Sequence, residues 1–249
     1  MEDLAQLELD GTVARLTLNR PEARNALSIE LLEALHGRAD ELARAHDATV
    51  CVLTGAGKSF CAGMDLKKVL EEPGAPERLL ASLAELTLKL RNIPQVLVGR
   101  INGAAIGGGC GLACLCDLSI THADAKLGYP EVDIGVCPAV VAPWLIRRVG
   151  SGMARRILLR GGTMSGAEAF ELGMVTSCVE SVDVLDEAVG ELVDRLAGAE
   201  PNALRATKEW MNTMDGEMLA EQVREGARIS ASMVETPEAR ESLARLFAR

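Results

Sequence analysis

Apolar and polar positions divide this chain into two textures. In the first half, short apolar runs alternate with longer segments of helical period. Ala5–Leu9 and Val13–Asn19 flank Asp10-Gly11, a hairpin signal. Ser28 is placed to cap a helix through about Arg44, with Ile29, Leu32, Leu35 and Leu42 near helical spacing. Val50–Thr54 predicts a buried strand ending at Gly55-Ala56-Gly57, and Glu77–Asn92 a second helix. The strand Gln95–Ile101 precedes a small-residue helix opened by Gly107, Gly108 and Gly109, and the strand Leu118–Thr121 follows. A β-α-β-α-β order predicts a mostly parallel sheet covered by helices.

Beyond about Trp144 the period is helical almost throughout. Ser151–Arg160, Ser165–Leu172, Val182–Leu196, Ala203–Met211, Met218–Ser232 and Thr236–Ala248 all read as helices, and Val175–Val179 as the one strand between them. Ser165 with Glu168 forms a capping box, and Pro237 takes a favoured first-turn position. Such a helical tail either folds back on its own core or packs on another subunit.

The 249 residues, 48% of them apolar, suffice for one α/β domain with a helical appendage. A 2% aromatic share argues against base-stacking on single-stranded nucleic acid, and a formal charge of −10 against nonspecific phosphate binding. No apolar stretch reaches membrane-spanning length and MEDLAQLELD is no secretory leader, so a cytoplasmic protein without membrane contact is expected. Cys51, Cys61, Cys110, Cys114, Cys116, Cys137 and Cys178 lie mostly in apolar runs and read as reduced core residues. His36, His46 and His122 stand apart, so no metal site is expected.

Ile101–Asp117, INGAAIGGGCGLACLCD, carries the most chemical information. Glycines at a helix start expose unpaired N–H groups with no Cβ in the way, which suits an oxygen gaining negative charge. Phosphate-loop and dinucleotide spacings fail around Gly55 and Gly107, and there is no GxSxG elbow. Phe60-Cys-Ala-Gly-Met-Asp-Leu66 reads either as a helix entry or as the source of a second N–H donor. Glu131, in GYPEVDIG, is either a solvated loop residue or, if desolvated, a general base. Asp117 and Asp124 read as turn or strand-edge caps.

The ordered set Asn19–Leu27 (NRPEARNAL), Phe60–Leu66 (FCAGMDL), Ile101–Gly109 (INGAAIGGG), Cys116-Asp117, Pro130-Glu131 and Ala167–Val175 (AEAFELGMV) resembles the enoyl-CoA hydratase/isomerase (crotonase) superfamily over nearly the whole chain. That resemblance implies a crotonase-like α/β spiral of ββα units over residues 1–190. It also implies a C-terminal helical trimerisation region, 191–249, in a homotrimer or dimer of trimers. It implies an acyl-CoA thioester substrate, no cofactor beyond coenzyme A, and an enolate whose oxygen is held by the backbone N–H groups of Met64 and Gly108. Ala23, Arg24, Ala62, Asp65, Leu66 and Lys67 would line the CoA path. Glu131 matches one of the two family glutamates; the other falls at Gly111, and the further acids of dienoyl-CoA isomerases and dehalogenases fall at Gly111 and Ala139. Cys137–Pro143 is similar to the loop of bacterial methylglutaconyl-CoA hydratase-like members. A hydratase or isomerase with Glu131 as single acid/base is therefore expected, the alternative being a noncatalytic acyl-CoA-binding homologue. Tyr129, Trp144, Met64 and Val69–Leu83 are expected to shape the acyl pocket, and Gly111→Glu to restore hydration if there is space.

Overall fold

The computed structural model describes residues 3–65, 72, 74–216 and 218–247. Among these residues ten strands form two sheets. The larger has the order β1 (Ala5–Asp10), β2 (Val13–Leu18), β3 (Val50–Gly55), β5 (Val96–Ile101), β7 (Leu118–His122), β10 (Ser177–Val179). β1 and β2 are the antiparallel hairpin; every later neighbour is parallel. β3 is buried on both faces, as its unbroken apolar run requires. One face packs on the main core, and the other, through Val50, Val52, Val96, Val98 and Ile120, packs on Leu185, Val189 and Val193.

The smaller sheet was not foreseen. It consists of β4 (Ser59–Cys61), β6 (Ala104–Ile106), β8 (Lys126–Gly128) and β9 (Thr163–Ser165). Three-residue strands hold too few positions for a period-2 pattern to emerge. β4, β6 and β8 are mutually parallel, so the segments after them emerge on one side.

Nine helices surround the sheets among the described residues: α1 (Ile29–Arg44), α2 (Ala75–Asn92), α3 (Gly108–Leu115), α4 (Ala142–Arg160), α5 (Gly166–Glu171), α6 (Leu185–Ala197), α7 (Pro201–Met214), α8 (Met218–Val234) and α9 (Pro237–Phe247). Ser28 caps α1 by accepting the Leu31 N–H, and both halves of the Ser165–Glu168 box are made. α4 starts nine residues earlier than its periodicity predicts, at Ala142 rather than Ser151, and kinks at Gly150, whose φ of 78° is non-helical. That break hid the first half of the helix from a 3.6-residue pattern. Residue 190 falls within α6. The tail folds back on its own core: α8 packs along α2, and α9 against the 3-10 turn Pro130–Ile134. No helix among the described residues is long and apolar enough to cross a membrane.

Candidate active site

The site is assembled where the segments after β4 and β6 meet. Leu27 and Met64 form a parallel bridge: Leu27 N–H donates to Gly63 O (2.7 Å) and Asp65 N–H to Leu27 O (2.9 Å). In that ladder the N–H of Met64 points away from Leu27. Helix α3 begins at Gly108, whose N–H is one of the donors a helix start leaves unpaired. Neither N–H has a hydrogen-bond acceptor among the described residues. A Cβ on Gly63 would lie 2.8 Å from Ile106 O and 3.8 Å from Gly108 N; one on Gly109 would lie 2.2 Å from Cys61 O. Side chains at either position would push the two donor segments apart.

Glu131 completes the constellation. Its side chain returns from the 3-10 turn to lie against Gly107, where a Cβ would stand 2.6 Å from Oε1. Gly107 has φ 53°, and its own N–H is bonded to Gly128 O, so its missing side chain and left-handed backbone are both used to seat the carboxylate. Oε2 is buried with no hydrogen-bond partner among the described residues. Desolvation pushes the Glu131 pKa up to about 7, with Asp133 adding in the same direction and the residue's own backbone N–H opposing. A buried carboxylate with one oxygen lacking a partner is costly as an anion and well placed to exchange a proton near neutrality.

Met64, Gly108 and Glu131 border one cavity of about 80 Å³, otherwise mostly apolar. Its far wall, Cys137–Val140, is pinned by the tail: Ser230 Oγ on α8 donates to Cys137 O (2.6 Å) and accepts from Val140 N–H (3.2 Å). Leu80 and Leu83 of α2 also line it. Tyr129 and Trp144, expected there, do not. Both are buried in the main core, Tyr129 donating its hydroxyl to Cys114 Sγ (3.5 Å) and Trp144 bordering a different cavity. The position of a possible second acid is likewise closed. A Cβ on Gly111 would stand 2.4 Å from Val141 Cγ1 and 2.9 Å from Val141 Cβ, so the condition set for Gly111→Glu, space for the side chain, is not met.

Of the remaining predicted residues, Ala62 lines the cavity. Ala23 and Ala62 are half-buried and Arg24 is exposed. Ala62 N–H donates to Arg24 O (3.0 Å). Asp65 is not an open ligand group, since Arg20 Nη1 holds its Oδ2 at 2.7 Å and also donates to Ala26 O. Leu66 and Lys67, with residues 68–71 and 73, lie outside the described residues. Among the described residues no group of three or more His, Cys, Asp or Glu side chains could hold a metal ion.

Residue-type reasoning missed the supports. Arg24 and Asn25 have φ 52° and 56°, a strained pair for non-glycines. Buried Asn25 stabilises that turn: its Oδ1 accepts Arg20 N–H, and its Nδ2 donates to Ala56 O and Ser59 O. Asn102 clamps the same loop by donating to Gly55 O and Gly57 O, both at 2.9 Å. The available signal was an asparagine inside each of two motif runs, a residue type that tolerates left-handed backbone.

Residues 8–248 match the family model described as enoyl-CoA hydratase/isomerase. The chain is 37% identical over 241 residues to a Thermus thermophilus protein provisionally named an enoyl-CoA hydratase, covering 95% of each. It is 35% identical over 198 residues to the 2,3-dehydroadipyl-CoA hydratase of Escherichia coli, covering 79% of this chain and 77% of that protein. Its structure is similar to Pseudomonas aeruginosa AtuE, with TM-score 0.81, 35% identity and coverage of 99% and 97%.

Proposed function

The chain belongs to the enoyl-CoA hydratase/isomerase family, and we propose that it moves a proton on an acyl-CoA thioester, with Glu131 as its single acid/base. The observation that carries this reading is the shielded carboxylate against Gly107, its Oε2 without a hydrogen-bond partner among the described residues, bordering the same cavity as Met64 and Gly108, whose N–H groups have no acceptor there.

The thioester oxygen accepts hydrogen bonds from Met64 and Gly108. For a 3-enoyl thioester, ionised Glu131 takes a proton from C2. The C–H electron pair enters the conjugated system and charge gathers on the thioester oxygen. Glu131 then returns the proton to C4, and the double bond moves from C3–C4 to C2–C3. Each preorganised donor lowers such a barrier by about 3 kcal/mol, and a positioned base supplies a factor of about 10² to 10⁴. Isomerisation needs no second acid, which suits a site where Val141 backs Gly111. Hydration is the second reading, favoured by the hydratase names of the relatives. It requires a group other than residue 111 to orient water.

Ala23, Arg24 and Ala62, with Asp65, Leu66 and Lys67, form the CoA path in this proposal, Arg24 and Lys67 supplying positive charge. Residues 1–190 act as the catalytic core. The region 191–249 serves assembly as a trimer or dimer of trimers, for which exposed Trp210, Met214 and Met218 offer apolar contacts. Seven free cysteines, five of them buried, suit the reducing cytoplasm.

The deciding experiment incubates 2-enoyl- and 3-enoyl-CoA panels in deuterated water with the parent protein and with Glu131→Gln. Double-bond migration leaves the product without added water and hydration adds one. Loss of both activities in Glu131→Gln with thioester binding retained supports the assignment; unchanged turnover removes Glu131 from the mechanism.

A further inference from the structure

A second cavity, of about 450 Å³, lies beneath α7 at the far end of the helix that begins at Gly108, and shares no described lining residue with the Glu131 cavity. Its volume is in the range of small-molecule sites. Four cationic side chains border it, Arg91, Arg147, Arg148 and Lys208, against two carboxylates, Asp117 and Asp215. Arg91 bridges both acids (2.9 and 3.1 Å), Lys208 holds Asp117 at 2.8 Å, and Arg147 pairs with Asp215. Arg148 donates to the carbonyls of Cys114 and Cys116 at the end of α3. Three cations thus share two anions, while the fourth meets only carbonyl dipoles.

Uncompensated positive charge in a recess is unfavourable. Desolvation lowers the pKa of Lys208 despite Asp117 beside it, and lowers that of Arg147, which Arg91 also repels. Two further donors, Arg91 Nε and Trp144 Nε1, are buried without an acceptor among the described residues. Apart from Thr207 the rest of the lining is apolar, including Trp144, Leu204 and Met211.

We propose that this cavity binds a small organic dianion, with a phosphate or dicarboxylate head among Arg91, Arg147 and Lys208 and an apolar body against Trp144 and Leu204. The site is independent of any step assigned to Glu131.

The test uses the protein in its native assembly, titrated by calorimetry with inorganic phosphate, phenyl phosphate and benzylmalonate at chloride-matched ionic strength. Trp144 fluorescence is followed in a Trp210→Phe background. Saturable binding is expected, with phenyl phosphate tighter than inorganic phosphate and benzylmalonate showing whether the head is carboxylate or phosphate. Arg147→Met should weaken phenyl phosphate about tenfold or more, the loss of one charge-assisted hydrogen bond. Arg91 still pairs Asp215 in that variant, so its melting and enoyl-CoA turnover should stay near the parent's. The proposal fails if no dianion binds beyond the chloride control, if Arg147→Met binds as well as the parent, or if free CoA displaces phenyl phosphate.

Discussion

Residue 111 offers the sharpest test of the proposal that one carboxylate serves this site. A Cβ there would approach Val141 Cγ1 to 2.4 Å and Val141 Cβ to 2.9 Å, against an ordinary carbon contact of about 3.5–4.0 Å. Overpacking of that kind costs about 1–3 kcal/mol, and the helix-propensity gain of Gly→Ala returns up to about 1 kcal/mol. Gly111→Ala should therefore lose about 1–2 kcal/mol, roughly 2–8 °C in Tm for a chain of this size. Gly111→Glu adds a buried charge and should lose several kcal/mol more without gaining hydration. Alanine at 141 would remove Cγ1 but keep the 2.9 Å contact, whereas Gly111→Glu/Val141→Gly removes both close contacts and leaves Cα at 3.8 Å. That double variant is the one expected to accommodate a second acid and raise water addition to 2-enoyl-CoA. Thermal denaturation and product mass read both effects. A Gly111→Ala variant as stable as the parent, or a stable Gly111→Glu that hydrates, would refute the packing argument.

Three further outcomes follow from the same geometry. Glu131 has a folded pKa of about 7 against an ordinary 4.5, so the folded state binds more protons between those values and stability should fall as pH rises through them. The loss is about 3 kcal/mol at most, is absent in Glu131→Gln denaturation curves, and should accompany a rise in kcat with pH as the base ionises. Gly107→Ala places a methyl 2.6 Å from Glu131 Oε1 at φ 53°; the strain of about 1–3 kcal/mol should displace the carboxylate and lower kcat more than it raises KM. Asp65→Ala leaves Arg20 without its 2.7 Å partner beside the Met64 segment and should lower both Tm and kcat, measured by melting and steady-state turnover.

Features with a strong local signature were legible in the chain. The Asp10-Gly11 hairpin, the Ser28 cap and the Ser165–Glu168 box lie where residue type and spacing place them. Met64, Gly108 and Glu131 were singled out through the family resemblance of their ordered motifs, because residue type alone left a helix entry and a solvated loop open as readings; the structure brings the three to one cavity. What escaped depends on contacts between distant segments. The β4-β6-β8-β9 sheet is built from strands too short to carry a period. Trp144 and Tyr129 read as pocket residues because aromatic side chains suit either a core or a ligand wall, and only packing decides. The closure of residue 111 by Val141 joins positions thirty residues apart, and Ser230 reaches the cavity wall from a helix ninety residues further on.

The central claim is that two main-chain donors and one carboxylate act on a single thioester. A crystal structure with a bound 3-enoyl-CoA analogue tests it most directly. The thioester oxygen should lie within hydrogen-bond distance of both Met64 N and Gly108 N, with C2 and C4 on the face toward Glu131. A carbonyl bound elsewhere, or Glu131 turned out to bulk solvent with the analogue in place, would contradict it.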